Sequence, residues 1–235
     1  MTKTQPKTEA GKRVVIFGTS KLAQLVHFYL TQDSPHQAAA FTVDQAYLDK
    51  KEMMGLPVVA FEEVEKTFPP DSYAMFVALG YTKLNSLRAA KYGEAKAKGY
   101  QLISYVSSKA SWWGETRIGD NCLILENQVI QPFVSLGNDV IIWSGNHFGH
   151  DVVIGDHVWI SSQVVVSGGV VIEPYTFVGV NATIRDQVRV ARENIIGAGA
   201  LILNDTKPRQ VFVAQPTEVY PLDSARFERM MDISG

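Results

Sequence analysis

A repeat of six residues dominates the chain. Residues 118–207 divide without a gap into fifteen blocks of six, in which every first residue is apolar and the fifth residues are mostly small or β-branched. A helix cannot keep a period of six on one face, because six residues are neither one nor two turns, whereas short strands can turn alternate side chains inward. The segment is therefore predicted to form a β-solenoid. The first residues are Ile118, Ile124, Ile130, Leu136, Ile142, Phe148, Ile154, Ile160, Val166, Ile172, Val178, Ile184, Val190, Ile196 and Ile202.

Length and charge limit the remaining possibilities. The 235 residues are 46% hydrophobic, which gives room for two modest domains, and the net charge of −2 provides no basic field for nucleic acid. No apolar run approaches the roughly 20 residues of a membrane span, and the polar start has no signal-sequence core. We expect a flexible tail at residues 1–12 and a cytoplasmic protein with neither a nucleic-acid nor a membrane partner. Cys122 occupies a fifth position, which predicts a buried, unreactive thiol.

Strands and helices alternate before the repeat. Continuous apolar runs predict strands at 13–17, 38–43, 56–60, 73–79 and 101–106, and helical spacing predicts helices at 21–32, 61–67 and 83–98. This order predicts a small, Rossmann-like α/β domain with a parallel sheet over residues 13–106. Residues 107–207 then hold the linker and solenoid, with Trp112 and Trp113 covering the first coil. Residues 208–235 form a C-terminal extension with a short helix at 223–231.

The carboxyl ends of three predicted strands are candidates for ligand binding. In parallel sheets ligands lie at this edge, and amides at helix starts bind phosphate. The loop Gly18-Thr19-Ser20, Asp44 and Gly80 all fall there. The further glycines of a dinucleotide fingerprint are missing after Gly18, so NAD is not predicted. Asp44 is either a partner for a ribose hydroxyl or a solvated turn residue.

Three histidines, His147, His150 and His157, fall within eleven residues of the repeat. His150 takes a third position, which faces outward, and Asp151 follows it. A surface imidazole that a carboxylate can orient is a competent general base near neutral pH. His150 is therefore the candidate base.

The six-residue blocks, together with the run from 146 to 156 (NHFGHDVVIGD), resemble the hexapeptide-repeat acyltransferases. The resemblance is to the lipid A pathway's UDP-N-acetylglucosamine acyltransferase and to sugar acetyltransferases of the sialic acid O-acetyltransferase type, including the bacillosamine-pathway N-acetyltransferases. It covers about residues 13–215, because the last group also carries a small nucleotide-sugar-binding sheet before the repeat. It implies a left-handed parallel β-helix of five coils, each with three blocks.

A coil of eighteen residues stacks Gly168 over His150, about 4.8 Å away. A base beside a backbone amide donor is the arrangement that acyl transfer needs, since the amide stabilises the oxyanion. By resemblance, His150 is the base, Asp151 its partner and the Gly168 amide the donor to the thioester. The remaining residues are assigned by the same resemblance. Trp159, Val180 and Ala198 would line the acetyl-CoA site, and Gly18, Thr19, Ser20, Asp44, Gly80 and His147 the substrate site.

The sixth positions alternate with the inward ones, yet ten of the fifteen are apolar. An outward apolar ladder of this length should be buried against another subunit. The resemblance implies a three-fold assembly with a site at each boundary, so we expect a homotrimer. The ten are Leu123, Val129, Ile141, Val153, Trp159, Val165, Val171, Phe177, Ile195 and Leu201.

These features favour an acetyl-CoA-dependent N-acyltransferase that acts on a nucleotide-linked amino sugar without a covalent enzyme intermediate and without a metal. Three alternatives stay open. A sugar O-acetyltransferase would use the same residues on a hydroxyl. A zinc carbonic anhydrase would place His147, His150 and His157 around one ion. A non-catalytic solenoid would serve as a scaffold.

Overall fold

The computed structural model describes residues 11–231, which form an α/β domain docked on a left-handed parallel β-helix. The predicted tail at 1–12 falls almost wholly outside the described residues. The N-terminal elements are β1 (Arg13–Phe17), α1 (Lys21–Gln32), β2 (Gln37–Val43), β3 (Glu52–Met53), β4 (Leu56–Ala60), α2 (Val64–Thr67), β5 (Ala74–Val77) and α3 (Ser86–Ala97), with 3-10 turns at Gln45–Tyr47 and Phe61–Glu63.

The N-terminal sheet has the strand order β3-β4-β2-β1-β5 and is parallel except for the β3–β4 pair. Apolar side chains cover both of its surfaces. Val26 and Leu30 of α1 belong to one buried cluster, and Val64 of α2 and Ala95 of α3 belong to another. The parallel sheet expected from the alternating strands and helices is therefore confirmed.

Two expected elements in this domain differ from the structure. The segment predicted as one strand at 101–106 contributes a single bridge to β5 at Leu102, and its last residues form β6 (Tyr105–Val106), which pairs with the solenoid. The third helix begins at Ser86 instead of Lys83. Residues Lys83 to Asn85 all have positive φ, between 51° and 65°, and so form a left-handed turn that cannot continue into a right-handed helix.

The solenoid has three flat faces joined by corners. Its strands are β7 (Arg117–Ile118), β8 (Leu123–Ile124), β9 (Val129–Ile130), β10 (Ser135–Leu136), β11 (Ile141–Ile142), β12 (His147–Phe148), β13 (Val153–Ile154), β14 (Trp159–Ile160), β15 (Val165–Val166), β16 (Val171–Ile172), β17 (Phe177–Val178), β18 (Thr183–Ile184), β19 (Arg189–Val190), β20 (Ile195–Ile196), β21 (Leu201–Ile202) and β22 (Val211–Phe212). The first face holds β7, β10, β13, β16 and β19; the second β6, β8, β11, β14, β17, β20 and β22; the third β9, β12, β15, β18 and β21.

Each coil takes eighteen residues, as the pairing of Ile142 with Ile160 and of Ile160 with Val178 shows. First and fifth positions fill one continuous interior core. Cys122 lies in that core with no exposed surface, and burial raises the pKa of its thiol to about 12. The thiol is therefore buried and protonated, as expected.

Glycine is required at those second positions where successive coils approach closely. A Cβ at Gly149 would stand 2.5 Å from the backbone nitrogen of Gly168, and one at Gly179 would stand 2.6 Å from that of Ala198. No side chain fits in that space. The repeated glycines thus allow the eighteen-residue stacking on which the rest of the geometry depends.

The N-terminal domain covers the second face of its own solenoid. Leu123, Ile141 and Trp159 are at most 5% exposed and pack in one cluster with α1 and the N-terminal sheet. The prediction that the whole sixth-position ladder is buried against another subunit was therefore wrong for these residues and for Phe177, which packs beside them. Sequence periodicity showed that the ladder must be covered, but it could not show that the same chain covers one face.

The first coil and the C-terminal extension were partly predicted. Trp112 packs against the solenoid core, whereas Trp113 is 55% exposed and does not cover it. Beyond the repeat, α4 (Ser224–Met231) agrees with the expected short helix. Across residues 11–231 no helix is both long and apolar enough to cross a membrane.

Candidate active site

His150 lies at the corner between the third and first faces of the solenoid. We call this the His150 corner; it stacks residues 132–133, 150–151, 168–169 and 186–187 in successive coils. The Nδ1 atom of His150 is 2.7 Å from Oδ2 of Asp151, and both side chains are about 60% exposed. With Nδ1–H donating to the carboxylate, the Nε2 lone pair is left to accept a proton. The corner therefore carries an oriented base that is open to solvent.

Gly168 lies directly over the His150 ring. A Cβ at Gly168 would stand 2.8 Å from Nε2 of His150, and the Gly169 N–H donates to the His150 carbonyl over 2.8 Å. The predicted stacking of the imidazole on the glycine is present. Any side chain at position 168 would collide with the ring, so the glycine is needed for this contact.

The amide of Gly168 is available to a ligand. Third-position N–H groups take no part in the backbone–backbone hydrogen bonds between coils and are left to side chains. The N–H of Asn138 donates to Asp156 Oδ1 at 2.6 Å, and that of His150 donates to Gln131 Oε1 at 2.9 Å. In the part of the chain that the structure describes, the Gly168 N–H has no acceptor. A donor free of partners and next to a base can bind a developing oxyanion.

The predicted nucleotide residues meet at one edge of the N-terminal sheet. Gly18 donates to the Thr42 carbonyl, and Ala78 donates to the Phe17 carbonyl, so the ends of β1, β2 and β5 are adjacent. Gly18 has φ of +115°, and a Cβ there would be 2.9 Å from the Ala78 oxygen. Thr19 and Ser20 lead into α1, whose first turn has no acidic residue. This helix start can accept an anionic group.

Asp44 has a partner that the sequence did not reveal. Its Oδ1 lies 2.8 Å from Nζ of Lys91 on α3, and both side chains are largely buried. The lysine and its two acidic partners, Asp44 and Glu94, place charge beside the loop that begins at Gly18. Gly80 has open space where a Cβ would stand, and its carbonyl accepts from Nη1 of Arg88 over 3.3 Å. No pattern in the sequence places Lys91 or Arg88 here, because both depend on how α3 packs.

Trp159 does not face a groove. It is 5% exposed and contacts the ring of Tyr81, with centroids 5.0 Å apart, and the ring of Trp143 at 6.0 Å. Its assignment to the acetyl-CoA site is therefore corrected, because its position on the second face puts it beneath the N-terminal domain. Instead it supports the loop that carries Gly80 and Tyr81.

Val180 and Ala198 stack eighteen residues apart at the corner between the second and third faces, where both are exposed. That corner is not the His150 corner. His147 lies on the outer side of the third face, between the two corners. The candidate residues thus form three separate groups in one chain: the His150 corner, the Val180 corner and the N-terminal sheet edge over the second face.

The three histidines that a zinc site would need also lie at different places on the solenoid. His157 lies at the corner between the first and second faces, where Nδ1 is 2.8 Å from Oδ2 of Asp139 and the ring packs on Tyr175. Within the described residues, no group of three His, Cys, Asp or Glu side chains could hold a metal. The described residues of one chain therefore do not bring His147, His150 and His157 together around one ion.

Comparison with known proteins finds relatives of the repeat segment and of the fold. The model of the bacterial transferase hexapeptide, six repeats, matches residues 151–186, within the stacked coils that carry Asp151 and Gly168. Residues 151–186 thus match the repeat pattern of this family. Among curated relatives, the acyl-[acyl-carrier-protein]–UDP-N-acetylglucosamine O-acyltransferases of Burkholderia lata and Burkholderia thailandensis are 27% identical over 89 residues. The match spans 38% of this chain and about a third, 34%, of the relatives' length.

Solved structures share the fold of the hexapeptide solenoid together with the N-terminal domain. A mutant of perosamine N-acetyltransferase from Caulobacter crescentus, in complex with CoA and GDP-perosamine, has a TM-score of 0.77 and 23% identity, covering 85% of this chain and 92% of that one. The acetyltransferase domain of PglB from Neisseria gonorrhoeae has a TM-score of 0.74 and 22% identity, covering 85% and 95%. The resemblance to hexapeptide-repeat sugar acyltransferases, and the left-handed β-helix it implies, are confirmed.

Proposed function

We propose that this protein is an acetyl-CoA-dependent N-acyltransferase that acts on the amino group of a nucleotide-linked amino sugar. One observation carries the proposal: the imidazole of His150, paired with Asp151, lies against Gly168, whose N–H has no acceptor among residues 11–231. A base and an oxyanion donor on adjacent coils are the two groups that direct acyl transfer requires.

The reaction follows from these groups. The sugar nitrogen attacks the thioester carbonyl carbon while Nε2 of His150 accepts a proton from that nitrogen. The carbonyl oxygen becomes an oxyanion beside the Gly168 N–H. Collapse of this intermediate breaks the C–S bond, and the imidazolium returns its proton to the CoA thiolate. Asp151 stabilises the imidazolium between these steps. No enzyme nucleophile is used, and the protonated Cys122 thiol is sealed inside the solenoid.

The similar proteins support both the donor and the acceptor. The perosamine N-acetyltransferase structure holds CoA and GDP-perosamine, and the PglB domain has also been solved with acetyl coenzyme A. The curated relatives are named as O-acyltransferases, so transfer to a sugar hydroxyl remains the second candidate. Both use one base and one amide donor; only the acceptor differs.

The acceptor can be identified directly. We expect incubation with acetyl-CoA to add one acetyl group to amino sugars such as GDP-perosamine or UDP-glucosamine, and not to their hydroxyl counterparts GDP-mannose and UDP-glucose. Mass spectrometry of the products reads this out. Acetylation of the hydroxyl sugars alone would establish the O-acyltransferase instead. Failure of acetyl-CoA both to react and to raise the melting temperature would favour a non-catalytic scaffold.

We infer that a complete site is built from more than one copy of the chain. The His150 corner is the edge of the triangular solenoid opposite the second face, and the N-terminal domain with Gly18 and Asp44 covers that second face. Outward side chains on the third face, Val129, Val165 and Leu201, are 40–60% exposed and belong to the uncovered part of the apolar ladder. Burying this face in a homotrimer would bring the corner of one copy to the sheet edge of another.

Mixed assemblies test this arrangement. His150→Ala removes the base, and Ser20→Trp fills the exposed start of α1; each variant alone should be inactive. If each site takes its base from one copy and its nucleotide edge from another, random mixed trimers made by co-expression should regain about a quarter of wild-type activity. Light scattering checks that all samples are trimers. A monomer mass, or trimers in which mixing restores nothing, would contradict a shared site.

A further inference from the structure

The His150 corner continues one coil toward the N-terminus, below the base. Phe133 precedes Asp151 by eighteen residues and is 67% exposed. It borders an open cleft of about 310 Å³, whose lining residues are Glu115, Arg117, Phe133, Val134 and Ser135. Neither the proposed base nor the Gly168 amide uses this cleft.

Phe133 is out of place for its position in the repeat. The fourth residue of each block from Asn121 to Gly199 adopts positive φ, and φ of Phe133 is 68°. Small polar residues and glycine tolerate this conformation, whereas a bulky aromatic does so at a cost. Apart from Tyr175, whose ring packs on His157, the other fourth positions are Asn, Asp, Gln, Glu, Gly or His. The exposed phenyl ring here is an apolar surface that is open to a ligand.

The proposed position of the donor leaves the coil below the base for the acceptor. The thioester carbonyl must lie at the Gly168 N–H, one coil above His150, so the donor occupies the space toward the C-terminal coils. The nucleophile has to reach Nε2 from elsewhere. The coil below His150 is hydrogen-bonded to the backbone of His150 and Asp151. Gln131 Oε1 accepts from the His150 N–H at 2.9 Å, and the Pro132 carbonyl accepts from the Asp151 N–H at 3.2 Å.

We infer that the cleft beside Phe133 seats the sugar ring of the acceptor. The phenyl ring offers an apolar surface to the C–H groups of a hexose, while the Arg117 guanidinium and the Glu115 carboxylate are a donor and an acceptor for its hydroxyls. This inference rests on the proposed function, since it assigns the acceptor side of the same site. It makes Phe133 a specificity-determining residue.

Phe133→Ala should raise KM for the amino sugar nucleotide roughly tenfold, leave KM for acetyl-CoA within about twofold, and leave the molar mass unchanged. Phe133→Tyr keeps the aromatic ring, and its KM for the amino sugar nucleotide should match that of wild type. The matched control is Phe28→Ala, which removes a 54% exposed phenyl ring on α1, away from the corner, and should behave as wild type. Calorimetry gives a second readout without turnover. It compares the binding of GDP-perosamine to His150→Ala with its binding to the double variant His150→Ala, Phe133→Ala.

The results separate this inference from the proposed function. An active wild type whose acceptor KM is unchanged by Phe133→Ala overturns the inference alone. Dissociation of the assembly by Phe133→Ala also overturns it, because the ring would then be an interface residue. If wild type transfers no acetyl group to any amino or hydroxyl sugar, the proposed function fails first.

Discussion

Replacing His150 with alanine is expected to lower turnover by roughly 10²- to 10⁴-fold, the usual loss when a general base is removed. The structure gives two reasons to expect an effect confined to chemistry. The imidazole is 61% exposed, so its loss leaves no cavity in the core. Its backbone is fixed independently, through the Gln131 side chain and the Gly169 amide. Folding should therefore be unaffected while Nε2 is lost.

Steady-state kinetics and thermal unfolding on the same preparations check this expectation. Asp151→Asn should fall between wild type and His150→Ala, because the amide still orients the ring but stabilises the imidazolium less. His157→Gln is the matched control: it lies at another corner, and glutamine can keep a hydrogen bond to Asp139. Full activity of His150→Ala would remove the proposed base, and equal losses for His147, His150 and His157 variants would point back to a metal.

The solenoid and the stacking at the His150 corner could be predicted because both depend on local periodicity. Once residues eighteen apart become neighbours, the position of His150 below Gly168 follows from counting residues. The pairing of β12 with β15 and of β15 with β18 confirms this offset of eighteen residues. The edge formed by Gly18, Asp44 and Gly80 was predictable for the same kind of reason: parallel neighbouring strands bring their carboxyl ends together.

Contacts between the domains could not be predicted, since they depend on which face of the solenoid the N-terminal domain covers. The apolar sixth positions of the second and third faces look alike in sequence. Only docking distinguishes Ile141, which is buried in its own chain, from Val165, which is 40% exposed. For the same reason, Trp159 was expected in the acetyl-CoA site, whereas it lies beneath the N-terminal domain. Lys91 and Arg88 escaped notice because a cation on an amphipathic helix is normally solvated.

The buried ion pair between Arg88 of α3 and Asp139 of the solenoid joins the domains. Nε of Arg88 is 3.0 Å from Oδ1 of Asp139, and neither side chain has exposed surface. Asn121 donates to the same carboxylate at 2.7 Å, and His157 approaches its other oxygen. Burial lowers the pKa of Arg88, and the Asp139 carboxylate opposes that shift. Three side chains, those of Arg88, Asn121 and His157, therefore converge on this carboxylate.

Arg88→Met should lower the free energy of unfolding by about 3–5 kcal/mol, because it leaves a buried carboxylate without its main counter-charge. Urea unfolding followed by tryptophan fluorescence measures this. Lys66→Met is the control, since Lys66 and Glu63 form an exposed pair whose loss should change stability by less than about 1 kcal/mol. A change for Arg88→Met as small as that of the control would show that the pair does not hold the domains together.

The same variant should also weaken substrate binding, because Arg88 fixes the loop after β5. Its Nη1 atom donates to the Gly80 carbonyl at 3.3 Å and to Asn85 Oδ1 at 3.0 Å, which supports the left-handed turn at Lys83 to Asn85. Without these bonds the strained turn has a more relaxed alternative. KM for the nucleotide sugar should then rise while KM for acetyl-CoA does not, measured at a temperature where the variant is folded. Equal increases in both would mean that Arg88 acts only through overall stability.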